Sequence, residues 1–105
     1  MGKASFEDLI CNLPKVYKWE VVLTEAIASL SDKTDSKGIM TFVLSMETAF
    51  QNNEPPEDLS LVSLKEASQI TAIFQIREAE FREQLSDFIK RVKNLLIQCV
   101  LSGMV

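Results

Sequence analysis

Two cysteines and a scatter of carboxylates are all that this sequence offers for catalysis, because its 105 residues contain no histidine. The commonest general base and the commonest zinc ligand are missing, and Cys11 and Cys99 have no imidazole to take a thiol proton. Neither cysteine belongs to a Cys-x-x-Cys pair or to any other metal-ligand spacing. Both sit among apolar neighbours, where a free cysteine behaves as a small hydrophobe, so buried thiols are expected, with a disulfide within or between chains as the alternative. Carboxylates come close together at Glu57 with Asp58, at Glu80 with Glu83 and at Glu83 with Asp87. Only the last two pairs share a helix face, and the arginines around them suit solvated charge better than acid-base work. Gly2, Gly38 and Gly103 stand singly, so no phosphate-cradling loop can be built. The expectation is a protein that is not an enzyme, with no cofactor and no metal.

The segment Lys15, Val16, Tyr17, Lys18, Trp19 mixes basic and aromatic residues, a combination that can grip phosphates while stacking on bases. Trp19 nevertheless falls at helical spacing with Val16, Leu23 and Ile27, which reads as a core tryptophan beside solvent lysines. Eleven basic residues against fifteen acidic ones leave a formal charge of -4, which repels nucleic acid and anionic lipid alike. Nucleic acid is therefore not an expected partner, and Lys90, Arg91 and Lys93 read as the complement of a helix C-terminus.

Gly2 after Met1 raises N-myristoylation, yet the usual pattern wants Ser or Thr at the sixth position, where Phe6 stands, with Ser5 one residue early. One acyl chain also needs a second membrane signal, and Lys3 alone is no polybasic patch. An acylated Gly2 gives the alternative functional reading, a membrane-apposed, matrix-like structural protein. No charged leader with a long apolar core opens the chain, and no apolar run approaches the ~20 residues of a membrane span, so an intracellular protein, cytoplasmic or nuclear, is expected.

Hydrophobic residues make up 47% and charged ones 25%, a globular balance, and the length suits one domain covering 1–105 with a core of its own. Its elements read as helices throughout. Ser5 can cap a short helix over 5–13, with Phe6, Leu9, Ile10 and Leu13 on one face and Pro14 at its end. A second helix over 15–31 carries Val16, Trp19, Val22, Leu23, Ala26, Ile27 and Leu30. A third over 37–52, capped by Asp35 or Ser36, turns Ile39, Phe42, Val43, Met46 and Phe50 inward and stops at Asn52, Asn53 and the Pro55-Pro56 pair. A loop follows over 53–62. From Ser63 to Leu101 there is neither proline nor glycine, and Ser63 with Glu66 forms a capping box, so one long helix is expected over 63–101. The fold class is all-α, a helical bundle of four helices, or of five if the long helix breaks near Arg77 to Glu80.

Along that helix Phe74, Phe81, Leu85, Phe88, Val92, Leu95 and Cys99 return at intervals of seven, four, three, four, three and four residues, a heptad stripe. Glu78 at a core position and apolar Ile89 and Leu96 beside the seam favour bundle packing over a two-stranded zipper. Ile70, Ile73, Phe74 and Ile76 make the helix apolar around most of its circumference, as a buried turn or a groove for a partner helix does. About 39 helical residues span ~58 Å, against ~24 Å for a helix of about 16, so one end should project. The C-terminal end is favoured, because Leu95, Leu96, Ile97, Cys99, Val100 and Leu101 leave little polar surface. The expected function is thus a protein-protein interaction module, an adaptor or assembly subunit that oligomerises or docks a helical heteropartner. Phe81, Leu85, Phe88, Val92, Leu95, Leu96 and Cys99 would anchor the interface, with Glu83, Asp87, Arg91 and Lys93 as its rim.

Overall fold

A computed structural model describes residues 6–15 and 17–103, and among them every regular element is helical. The order is α1 (Phe6–Cys11), α2 (Lys18–Ser29) with a 3-10 turn at Leu30–Asp32, α3 (Ser36–Asn52), α4 (Leu64–Ile73) and α5 (Ala79–Leu101). The all-α class and the long C-terminal helix are as the sequence predicts. The expected cap Ser5 and the candidate acylation site Gly2 lie outside the described residues.

Local chemistry explains most of these boundaries. Asp35 caps α3 by accepting the Gly38 amide at 3.0 Å, and Asn53 ends it in the left-handed region at φ 57°, a conformation asparagine tolerates better than most residues. Ser63 caps α4 reciprocally with Glu66: the Glu66 amide donates to Ser63 Oγ and the Ser63 amide to Glu66 Oε1, both at 3.1 Å.

The single helix over 63–101 is corrected. The chain leaves helical geometry after Ile73 and re-enters it at Ala79, which is the five-helix alternative. Phe74, Gln75 and Ile76 tighten into turns, with their amides donating to the carbonyls three residues back, at 3.0 to 3.2 Å. The break has a tertiary cause. It lets α4 fold onto α2, sealing Ile70 and Ile73 in the core, and lets the Phe74 ring stack on Phe50 at 5.1 Å. A straight helix could not hold α4 on α2 and α5 on α3 within one chain.

The most extensive helix pairing is α3 with α5, and α1 lies against both α2 and α5. Phe50, Gln51 and Asn53 share a cleft with Ala79, Arg82, Glu83 and Ser86, while Glu47 meets Lys93, so α3 and α5 run antiparallel. One core unites Phe6 and Ile10 of α1 with Leu23, Ile27, Phe42, Met46, Leu85, Phe88 and Leu96. Two polar residues, Glu20 and Thr24, are buried one turn apart on α2. Glu20 Oε1 accepts the Tyr17 amide at 3.3 Å, but Glu20 Oε2 and Thr24 Oγ1 have no partner. An unpaired hydroxyl in a core costs about 1–3 kcal/mol, so α2 keeps this polar pair at a cost that apolar packing offsets.

Candidate functional site

The structure brings the predicted interface residues together, but inside the molecule. Leu85, Phe88, Val92 and Leu96 are fully buried, Cys99 and Phe81 nearly so, and Leu95 is half-buried against the same core. The chain's own α1, α2 and α3 cover this stripe. The length argument for an outside partner therefore fails, because the turn at 74–78 shortens the helix that needed covering. Of the predicted rim, Glu83, Asp87 and Arg91 are exposed, with the Arg91 guanidinium 5.4 Å from the Phe88 ring centre. Lys93 is spent within the fold, donating to Glu47 Oε2 at 2.8 Å.

The groups that could do chemistry are equally dispersed. Cys99 is buried, and desolvation pushes its thiol pKa up, away from the reactive thiolate, whereas Cys11 is exposed at the end of α1. Asp58 is held below the usual carboxylate range by the Ser60 hydroxyl, which donates to it at 2.6 Å, and then by the Ser60 amide. No group of three or more acidic or cysteine side chains with metal-binding geometry occurs among the described residues. The basic-aromatic segment is turned to structural use. Lys15 Nζ donates to the carbonyls of Leu13, Cys11 and Ile10, Lys18 lies over the Trp19 ring, and Tyr17 meets Phe81 edge-on. Val16 lies outside the described residues.

What the fold leaves uncovered is the flank shared by α3 and α5. The Glu47–Lys93 ion pair fixes its register. Stepping back along α3 by three and seven residues gives Leu44 and Met40; stepping forward along α5 by four and seven gives Ile97 and Val100. These spacings keep one helix face, and in an antiparallel pair the two walks run in the same direction. Leu44 and Ile97 therefore lie one turn beyond the ion pair on their respective helices, and Met40 and Val100 two turns beyond it. Leu44 is 43% exposed, Ile97 38% and Val100 46%, while Met40 is half-buried. Leu101 prolongs the apolar surface at 82% exposure. Lysines mark both ends of the strip: Lys37 precedes Met40 by three residues, and Lys90 precedes Lys93 by three.

The sequence pointed at the C-terminal members of this strip and missed Met40 and Leu44, which lie off the inward stripe of α3. Nothing in a pattern of local periodicity couples Glu47 to Lys93 across 46 residues. A cleft of about 540 Å³, which Leu44 also lines, separates Thr41, Ser45, Thr48 and Asn52 of α3 from the loop Glu54 to Asp58. It holds no buried unpartnered group among the described residues to orient a ligand. Nor is any described helix long and apolar enough to cross a membrane. Compared with known proteins, the chain matches no family model, no curated protein and no solved structure.

Proposed function

We propose that this chain is a protein-association module whose docking surface is the α3–α5 flank, and that its partner is an amphipathic helix of another protein with acidic residues beside its apolar face. The observation that supports this reading is the line Met40, Leu44, Ile97, Val100, a two-helix apolar strip left open beside a completed core. Two parallel ridges of this kind form a groove that takes a third helix through side chains at i, i+3 or i+4 and i+7.

Charge selects the partner's chemistry. Lys37 and Lys90 stand at opposite ends of the strip, and the carboxylate on it, Glu47, is already neutralised by Lys93. Pairing this flank with a second copy through a two-fold axis would set lysine against lysine, whereas a helix with flanking glutamates meets complementary charge at both ends. Aliphatic anchors supply affinity and the lysines supply steering.

The test is a titration of isotope-labelled protein with a synthetic amphipathic helical peptide carrying leucines at i, i+4 and i+7 and glutamates alongside. Methyl shifts should concentrate on Met40, Leu44, Ile97 and Val100, the Leu44→Asp/Val100→Asp variant should weaken binding at least tenfold, and a peptide with lysines for glutamates should bind worse. Equal binding of both peptides, or shifts spread evenly over the surface, would refute the assignment.

A further inference from the structure

We propose that the chain also forms a reciprocally exchanged dimer, in which residues 74–78 join α4 and α5 into one helix and each α5 packs onto the α1–α3 body of a second copy. This inference is independent of the flank described above, which keeps its composition in either form.

The two interhelical stops in this half of the molecule differ in kind. After α3, Asn53 adopts a left-handed backbone and Pro55-Pro56 follows, so α3 cannot run on. Between α4 and α5 nothing forbids continuation. Phe74 is right-handed at φ -75° and ψ -5°, no residue from 74 to 78 has positive φ, and none is proline or glycine. Gln75, Arg77 and Glu78 are good helix formers. The backbone is out of helix over residues 76–78, with Glu78 extended at ψ 120°, and α5 begins there with no side-chain cap. Rotating a few dihedrals converts the turn into helix and satisfies its free amides within the helix.

The seven-residue spacing of Phe74 and Phe81 runs through this turn, and the two side chains fall on one helix stripe only in the straightened form. Leu64 to Leu101 would then span about 57 Å at ~1.5 Å per residue, whereas the longest dimension of the folded chain is 44 Å. So α4 and α5 cannot both stay on one body once the turn is straight, and in the exchanged form it is α5 that leaves. The surface it vacates fits only what had filled it, which makes a second copy's α5 the occupant, bringing Phe81, Leu85, Phe88, Val92, Leu96 and Cys99 into an intermolecular core. The Tyr17–Phe81 contact and the Glu47–Lys93 ion pair would then form between chains. Short linkers between packed elements are where such exchange arises.

Ala79→Pro separates the two forms. Ala79 is the first residue of α5 and Glu78 before it is extended, so proline fits the folded-back chain, but it would sit inside the straightened helix and break it. Wild-type protein refolded from denaturant at millimolar concentration should give a dimer by light scattering that reverts to monomer only over hours after dilution, and Ala79→Pro should reduce its yield at least tenfold. A second readout uses charge. Glu47→Lys alone sets lysine against lysine, and Lys93→Glu alone sets glutamate against glutamate. Co-refolded in equal amounts, the two variants regain both opposite-charge pairs only by exchanging α5, so the mixture should yield several-fold more dimer than either variant alone. Wild type that stays monomeric, a dimer that Ala79→Pro leaves intact, or a mixture no richer in dimer than its components would each overturn the proposal.

Discussion

The helices α4 and α5 are neighbours in sequence and begin in opposite ways. Before α4, the Asp58 carboxylate ties down Ser60, and Ser63 and Glu66 exchange hydrogen bonds across the first turn, so at least four local interactions mark where the helix starts. At the start of α5 Glu78 makes no side-chain cap bond, and the first turn closes through the backbone bond from Arg82 to Glu78. Yet α4 is the short helix, with two fully enclosed side chains, and α5 the long one, with seven. The difference separates two sources of order. Side chains within a few residues set where α4 begins, whereas contacts with distant parts of the chain hold α5.

Substitutions can break this contrast or sharpen it. The largest effect is expected inside α5, where Phe88→Ala should cost about 3–5 kcal/mol in chemical denaturation, since its ring is fully buried at the centre of the core. A loss below ~1 kcal/mol would mean that distant packing does not hold α5. Next comes Ser63→Ala, expected to cost ~1 kcal/mol through loss of the α4 cap. Glu78→Ala, the matching change at α5, should stay within ~0.5 kcal/mol, because no cap bond is lost. If the two alanine variants are equally destabilised, the contrast between the helix starts is wrong.

The smallest effect concerns pH. Asp58 titrates below its usual range because Ser60 donates two hydrogen bonds to the charged form. A depressed carboxyl lends stability above its unfolded pKa and loses it as pH falls through the folded value, so Asp58 should contribute to α4 at neutral pH and cease to do so in acid. The group is fully exposed, so solvent screens the gain. A carbonyl-carbon NMR titration should place Asp58 below the usual carboxylate range, and Ser60→Ala should return it to that range.

This division also explains what could be read from the sequence. The caps at Asp35 and Ser63 and the stop at Asn53 lie within a few residues of the backbone they control, so α3 and the start of α4 fall within a residue of their expected bounds. The second helix was expected to reach residue 31, and its last turn tightens to 3-10 geometry from Leu30. The break after Ile73 has no such marker. It depends on Ile70 and Ile73 facing α2 and on Phe74 meeting Phe50, contacts that periodicity along one strand of sequence does not encode. For the same reason the stripe on α5 was legible as apolar while its covering was not. The heptad pattern shows that a surface must be buried, and it is silent on which chain buries it. Of the open flank, only Ile97, Val100 and Leu101 could be suspected, as excess apolar character near the end of a helix.

The ammonium of Lys15, held by three carbonyls at the end of α1, bears on how the fold opens. Six residues are too few to sustain a helix in water, where about 12–15 are needed for even marginal helicity. Helical winding of α1 therefore exists only while Phe6 and Ile10 are seated in the core and Lys15, in the connection that follows, holds the carbonyls at its end. Release of the docked helix and loss of its winding become one event, so its amides should exchange with solvent as a single group, ahead of those of α3 and α5.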